Sequence, residues 1–192
     1  MQTDERRVIE CELRIEERAD KPPVLVGYAA VFGKRSVDLG GFTEEVAPGA
    51  FAKSIRTDDV VALVDHDPSM ILGRTSAKTL TLSEDGDGLR MEIDLPDTSI
   101  GRDIAVSVKR GDVKGASFGF RTIADDWKML DGKSHRTLIE AKLRDVSPVT
   151  FPAYPDTSIA MRSFDVWKLS SAPVDTIGLF LKRQRQAESL GR

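Results

Sequence analysis

Gly115-Ala116-Ser117-Phe118-Gly119-Phe120 contains the pattern G-x-S-x-G, and the reading of this hexapeptide decides the fold. In α/β-hydrolases the pattern marks a strained turn between a strand and a helix that presents a nucleophilic serine. That setting is missing here. Residues 117–123 alternate with the period of two expected of a strand, and no helical spacing follows the serine. Chain order argues the same way, because the hydrolase fold needs an acid and then a histidine after its serine. Only His135 follows Ser117, 18 positions on, which leaves no room for the intervening strands. The pentapeptide fits that fold but the chain around it does not.

Working outward, residues 9–16 alternate without a fault: Ile9, Cys11, Leu13 and Ile15 are apolar, while Glu10, Glu12, Arg14 and Glu16 are charged. This is the pattern of a half-buried antiparallel strand. It puts Cys11 on the inner face, as a structural thiol rather than a nucleophile. Lys21-Pro22-Pro23 breaks the chain, and residues 24–32 resume as strand. Pro48 opens a short helix over residues 49–56, where a missing N–H does little harm. Residues 60–64 are a continuous apolar run, a buried strand that delivers Asp65-His66-Asp67-Pro68 to its exit. Residues 79–82 and 89–95 flank the hairpin turn Asp85-Gly86-Asp87-Gly88, whose acids lack the ligand spacing of a calcium loop. A helix begins at Pro96-Asp97-Thr98, with Asp97 as N-cap, and runs to Arg110 with Gly111 beyond its end. Residues 137–149 add more strand, broken by Pro148 and followed by Pro152 and Pro155. About seven mostly sequential strands and two or three helices favour a mainly antiparallel, barrel-like α+β domain. Past Arg162 the character changes to a weak helical patch (Ile177, Leu179, Phe180, Leu181) followed by Lys182, Arg183 and Arg185. The expectation is one domain over residues 1–162 and a tail over 163–192.

The inventory of reactive groups is short. The 192 residues include one cysteine and two histidines, which excludes an intrachain disulfide and a His-rich metal centre. No metal or organic cofactor is expected. A net charge of -3 gives no global basic field, so nucleic acid is not an expected partner. No apolar run approaches the roughly 20 residues that span a bilayer, and the start carries both charge signs with no signal-peptide core. A soluble intracellular protein is expected.

Serine chemistry needs a base to take the hydroxyl proton and a third group to fix the tautomer of that base. His66 ends a buried strand 51 residues before Ser117, and Glu140 lies 23 residues after it. These three supply the required types from different strands, in an order that geometry alone can validate. A strand-end histidine and a small serine at a strand crossing explain the same residues without chemistry.

Five motifs in order carry a resemblance that goes further: Gly27-Tyr28-Ala29-Ala30-Val31-Phe32, Pro48-Gly49-Ala50-Phe51, His66-Asp67-Pro68, the hexapeptide at Ser117, and Val146-Ser147-Pro148-Val149-Thr150-Phe151-Pro152-Ala153-Tyr154-Pro155. Over residues 8–162 the chain resembles the tailed-phage prohead serine proteases, which act in capsid maturation and are related to herpesvirus assemblin. The resemblance implies a closed antiparallel β-barrel with surrounding helices. It implies a serine endopeptidase that cleaves scaffold protein, or the scaffold segment of the major capsid protein, and its own tail. The site would be His66 as base, Ser117 as nucleophile and Glu140 as third member, with His135 and Asp145 as alternatives to Glu140. His135 reads as a solvated turn histidine beside Asp131-Gly132-Lys133-Ser134. An oxyanion donor is expected near residues 147–150. The setting would be the assembling prohead in the host cytoplasm, and a homodimer is expected from the herpesvirus relatives. A non-catalytic assembly module with the same fold, and a G-x-S-x-G esterase, are the alternative functions.

Overall fold

In the computed structural model, residues 4–151 are described. Their elements run β1 (Glu5–Glu10), β2 (Arg14–Arg18), β3 (Lys21–Val31), β4 (Phe42–Val46), α1 (Ala52–Thr57), β5 (Val61–Val64), β6 (Asp67–Arg74), β7 (Leu80–Glu84), β8 (Gly88–Asp94), α2 (Ser99–Arg110), β9 (Gly115–Leu130) and β10 (Lys133–Val149). The expected tail at 163–192 lies outside the described residues.

The strands form a six-stranded sheet, β1-β9-β10-β5-β6 with β4 also on β10, and a four-stranded sheet, β2-β3-β8-β7. The α+β, mainly β class is as expected. The closed antiparallel barrel is not: among the described residues the ladders make two sheets, and β10 pairs in parallel with both β4 and β5. The cause is the length of β10. Its 17 residues are matched on one edge by β9 along most of their length, while the other edge is divided between β4 and β5. The sheets adjoin where β1 passes into β2 and at a lone bridge between Phe32 and Val46.

The alternation over residues 9–16 survives a change of sheet. The chain leaves β1 after Glu10 and enters β2 at Arg14, yet Ile9, Cys11, Leu13 and Ile15 all pack on one core. The two prolines expected to break the chain lie within β3. They are tolerated because both ladders pass them over: pairing with β8 begins only at Val24, and on the other edge pairing with β2 steps from Lys21 to Val24 across a register irregularity. Helix α2 is capped by Thr98 rather than Asp97: the Thr98 hydroxyl accepts from Gly101 N–H, while Asp97 pairs with Arg102. Gly111, at φ 78°, ends it as expected.

The core lies between the sheets. Ala116, Phe118, Phe120, Leu143 and Val146 of β9 and β10 face Leu25, Leu89, Met91 and Ile93 of β3 and β8. Phe51, just before α1, meets Phe118 edge-on at 5.3 Å, and burying a side chain of this size contributes about 1.5–3 kcal/mol. Because alternate residues of a strand face opposite ways, burying Phe118 and Phe120 turns Ser117 and Gly119 to the other face of the sheet. The core therefore aims the serine.

Candidate active site

Two rungs of the six-stranded sheet build the site. On one, Val8 of β1, Ser117 of β9 and Ser147 of β10 lie side by side; two residues along, on the same face, Arg6, Gly119 and Asp145 do. Residues directly paired across a sheet share a face, so Ser117, Ser147 and Asp145 emerge together.

His66 arrives from the hairpin between β5 and β6. Val64 pairs with Asp67, leaving Asp65 and His66 as a two-residue loop with φ of 48° and 59°. Positive φ at both loop positions is the primed hairpin turn, usually Asn-Gly, because it matches the strand twist. Asp and His are among the residues that tolerate this region, though at a cost that other contacts must offset. Those contacts come from the end of β10. Asp65 N–H donates to the Pro148 carbonyl at 3.1 Å, and the Asp65 carboxylate accepts from Thr150 N–H and Thr150 Oγ1, both at 2.9 Å. His66 N–H donates to Ser147 Oγ at 3.3 Å.

So held, the imidazole bridges the serine and a carboxylate. His66 Nε2 lies 2.6 Å from Ser117 Oγ, and His66 Nδ1 makes a short contact with Asp145 Oδ2. A carboxylate only accepts, so the hydrogen on Nδ1 donates to Asp145 and Nε2 is left to accept from the Ser117 hydroxyl. The His66 and Asp145 side chains are largely buried, and Ser117 is fully buried. Ser117 Oγ also lies 2.9 Å from the Arg7 carbonyl of β1, so its single hydrogen has two acceptors.

Of the expected site residues, the structure brings His66 and Ser117 together and leaves Glu140 out. Glu140 sits at a register irregularity of β10 and accepts from Lys53 of α1 at 3.2 Å. Asp145, five residues on, occupies the expected third position. The neighbouring Asp67 is turned away: its Oδ1 accepts from Ser69 Oγ at 2.7 Å and Ser69 N–H at 2.8 Å, which hold its carboxyl below the ordinary range. His135 is not a solvated turn residue. The turn is confined to Asp131 and Gly132, and His135 is buried in β10 with Nδ1 2.8 Å from Thr43 Oγ1 and Nε2 3.5 Å from Glu45. Within the segment expected to supply an oxyanion donor, Thr150 N–H is committed to Asp65 and Pro148 has none.

A β-bulge explains Asp145. Leu143 pairs with Phe120 but Asp145 pairs with Gly119, so two steps along β10 match one along β9 and Arg144 is the extra residue. Without it Asp145 would share the core face of Leu143. The signal was in the sequence: Ala141 and Leu143 are core residues at odd positions, and the next is Val146. Gly119 supplies the space. A Cβ there would lie 2.2 Å from Asp145 Oδ1, so the last glycine of G-x-S-x-G leaves room for the acid rather than forming an elbow.

His66 walls two depressions. One of about 300 Å³ is lined by Arg6, Val8, Asp65, Val149 and Phe151; the other, of about 600 Å³, reaches Gly119, Arg144 and Asp145. Beneath β1, on the core face, lies a buried ion cluster. Arg7 binds Glu5 and Glu44, and Arg136 binds Glu5, Glu44 and Asp125. Burial alone would raise the Glu5 pKa, but the hydrogen bond and charge of Arg136, with the charge of Arg7, outweigh it and hold the carboxyl below its ordinary value. Burial likewise opposes the charge on Arg136, and its carboxylate partners, Glu5 first, outweigh this to raise its pKa. Among the described residues no cluster of three or more His, Cys, Asp or Glu could hold a metal ion.

A model of the caudovirus prohead serine protease family matches residues 9–170. The chain belongs to this family. The prohead protease of Enterobacteria phage HK97 is 31% identical over 150 residues, covering 76% of this chain and 63% of that protein. The chain thus spans less than two thirds of the length of this relative. Among solved structures, the bacteriophage T4 capsid assembly protease covers 76% of this chain and 98% of its own, at 12% identity and a TM-score of 0.47. In this prohead protease family member, then, the motif at Ser117 lies within a strand, with its histidine upstream in the chain.

Proposed function

We propose that the protein is a serine endopeptidase of phage capsid maturation, with Ser117 as nucleophile, His66 as general base and Asp145 as the group that orients it. The observation that carries this reading is the chain of contacts from Ser117 Oγ through both ring nitrogens of His66 to Asp145. Ser117 Oγ attacks the peptide carbonyl carbon as its proton passes to His66 Nε2. The proton on Nδ1 stays there, and Asp145 stabilises the imidazolium electrostatically. As the tetrahedral intermediate collapses, the C–N bond breaks and Nε2 gives its proton to the leaving amine. Water then repeats the sequence on the acyl-enzyme and frees Ser117.

Substrates of this reading are the scaffold protein or the scaffold segment of the major capsid protein, cut inside the assembling prohead in the host cell, together with the tail of the enzyme itself. The catalytic unit would be residues 1–162, with 163–192 appended. The test is co-expression with the capsid and scaffold proteins of the same phage, followed by mapping of new termini. Wild type should generate new termini that Ser117→Ala does not. Identical uncut proteins in both cultures would remove the protease reading in favour of an assembly module.

A further inference from the structure

We infer that Ser147 is a positioning residue of this site, a fourth member that selects the orientation of Asp145 and fixes the turn carrying His66. The inference rests on the protease reading for its consequence, though not for its geometry. Ser147 is fully buried, and a buried hydroxyl normally has partners. Its partners here belong to the reacting groups. Ser147 Oγ donates to Asp145 Oδ2 at 3.1 Å, accepts from His66 N–H at 3.3 Å, and stands 3.4 Å from His66 Nδ1.

Three consequences follow from that placement. Asp145 Oδ2 receives two donors, His66 Nδ1–H and the Ser147 hydroxyl, whereas Oδ1 lies against Gly119, where no side chain intrudes. The pair of donors distinguishes the two carboxylate oxygens and locks the final torsion of the aspartate, which is otherwise broad. The hydroxyl also ties the backbone of His66, at φ 59°, to the strand that carries Asp145. Base and acid are therefore registered to each other by one atom. Ser147 also pairs directly with Ser117 across the β9–β10 ladder, so a shift at this position is felt by all three groups.

Two readouts on the full chain test this. One is the rate at which a fluorophosphonate labels Ser117, a step in which the P–O bond forms, the P–F bond breaks, fluoride leaves and the serine proton goes to His66. It needs no knowledge of peptide specificity. The other is the far-downfield NMR signal of the His66 Nδ1 proton bound to Asp145, which needs no activity. Ser147→Ala should lower the labelling rate about 100-fold, the cost of roughly 1 Å of misplacement, and shift or broaden that signal. Ser147→Thr, which keeps the hydroxyl, should recover most of both. Wild-type labelling and an unmoved signal in Ser147→Ala would overturn the inference. A wild type that is never labelled would instead overturn the protease reading, and the NMR comparison would still decide the role of Ser147.

Discussion

Replacing Gly119 with alanine should disable the site without unfolding the protein. The added Cβ would lie 2.2 Å from Asp145 Oδ1 and 3.1 Å from its Cγ, against an ordinary contact that begins at 3.4 Å. The carboxylate must retreat by about 1 Å or more, and it cannot do so while keeping both His66 Nδ1 and Ser147 Oγ. A misplacement of that size costs about 10²-fold in rate, and complete loss of the orienting group up to about 10⁴-fold. Stability should change less. Overpacking costs about 1–3 kcal/mol, partly offset by the roughly 0.5–1 kcal/mol that alanine gains over glycine in a strand. The assay is fluorophosphonate labelling followed by intact mass, with urea unfolding in parallel. The same substitution placed in an Asp145→Ala background should produce no further loss of rate, because the clash has nothing left to displace. Gly119→Ala labelling at the wild-type rate, or an additive loss in the double variant, would refute the claim that this glycine makes room for the acid.

Glu140→Gln should label at the wild-type rate, since the residue is engaged with Lys53 at the surface; a loss comparable to that of Asp145→Ala would restore it as the third member. Arg136→Met leaves the buried Glu5 and Glu44 sharing Arg7 as their one remaining cation and takes the arginine from the half-buried Asp125, and urea unfolding should show a loss of about 3–5 kcal/mol. Acid should act through the same cluster. Glu5 titrates below its ordinary 4.5 in the folded protein, so its stabilisation is complete above that pH and is lost as pH falls through the depressed value; urea midpoints should drop there, and less steeply in Glu5→Gln. Burial pushes the Cys11 thiol up to about 11, so iodoacetamide at neutral pH should spare it in the native protein and modify it in urea.

The parts of the site legible in the sequence were those written in regular periodicity. Ser117 and His66 followed from a strand that alternates and an apolar strand with a polar exit, both features that local pattern encodes. Asp145 was weighed only as an alternative because its orientation depends on a bulge, and a bulge is a property of two paired strands rather than of one. Glu140 has the right residue type on the same strand, just upstream of residues 146–155, but the register irregularities of β10 decide which carboxylate faces His66, and position along one strand does not record them. His135 was misread because glycine and aspartate upstream suggested a longer turn than the two residues that make it. The two-sheet arrangement was hidden in the length of β9 and β10, which read as separate shorter strands until their mutual pairing is known. The parallel contacts of β4 and β5 with β10 join residues far apart in the chain, which no local pattern records.

The central claim is that Ser117 is a nucleophile activated by His66 under the direction of Asp145. Its most direct test is peptide mapping of the purified protein after fluorophosphonate treatment. The account predicts a single phosphonyl adduct on Ser117, absent in His66→Ala and slowed by orders of magnitude in Asp145→Ala. An adduct on another residue, or none on wild type, would contradict it.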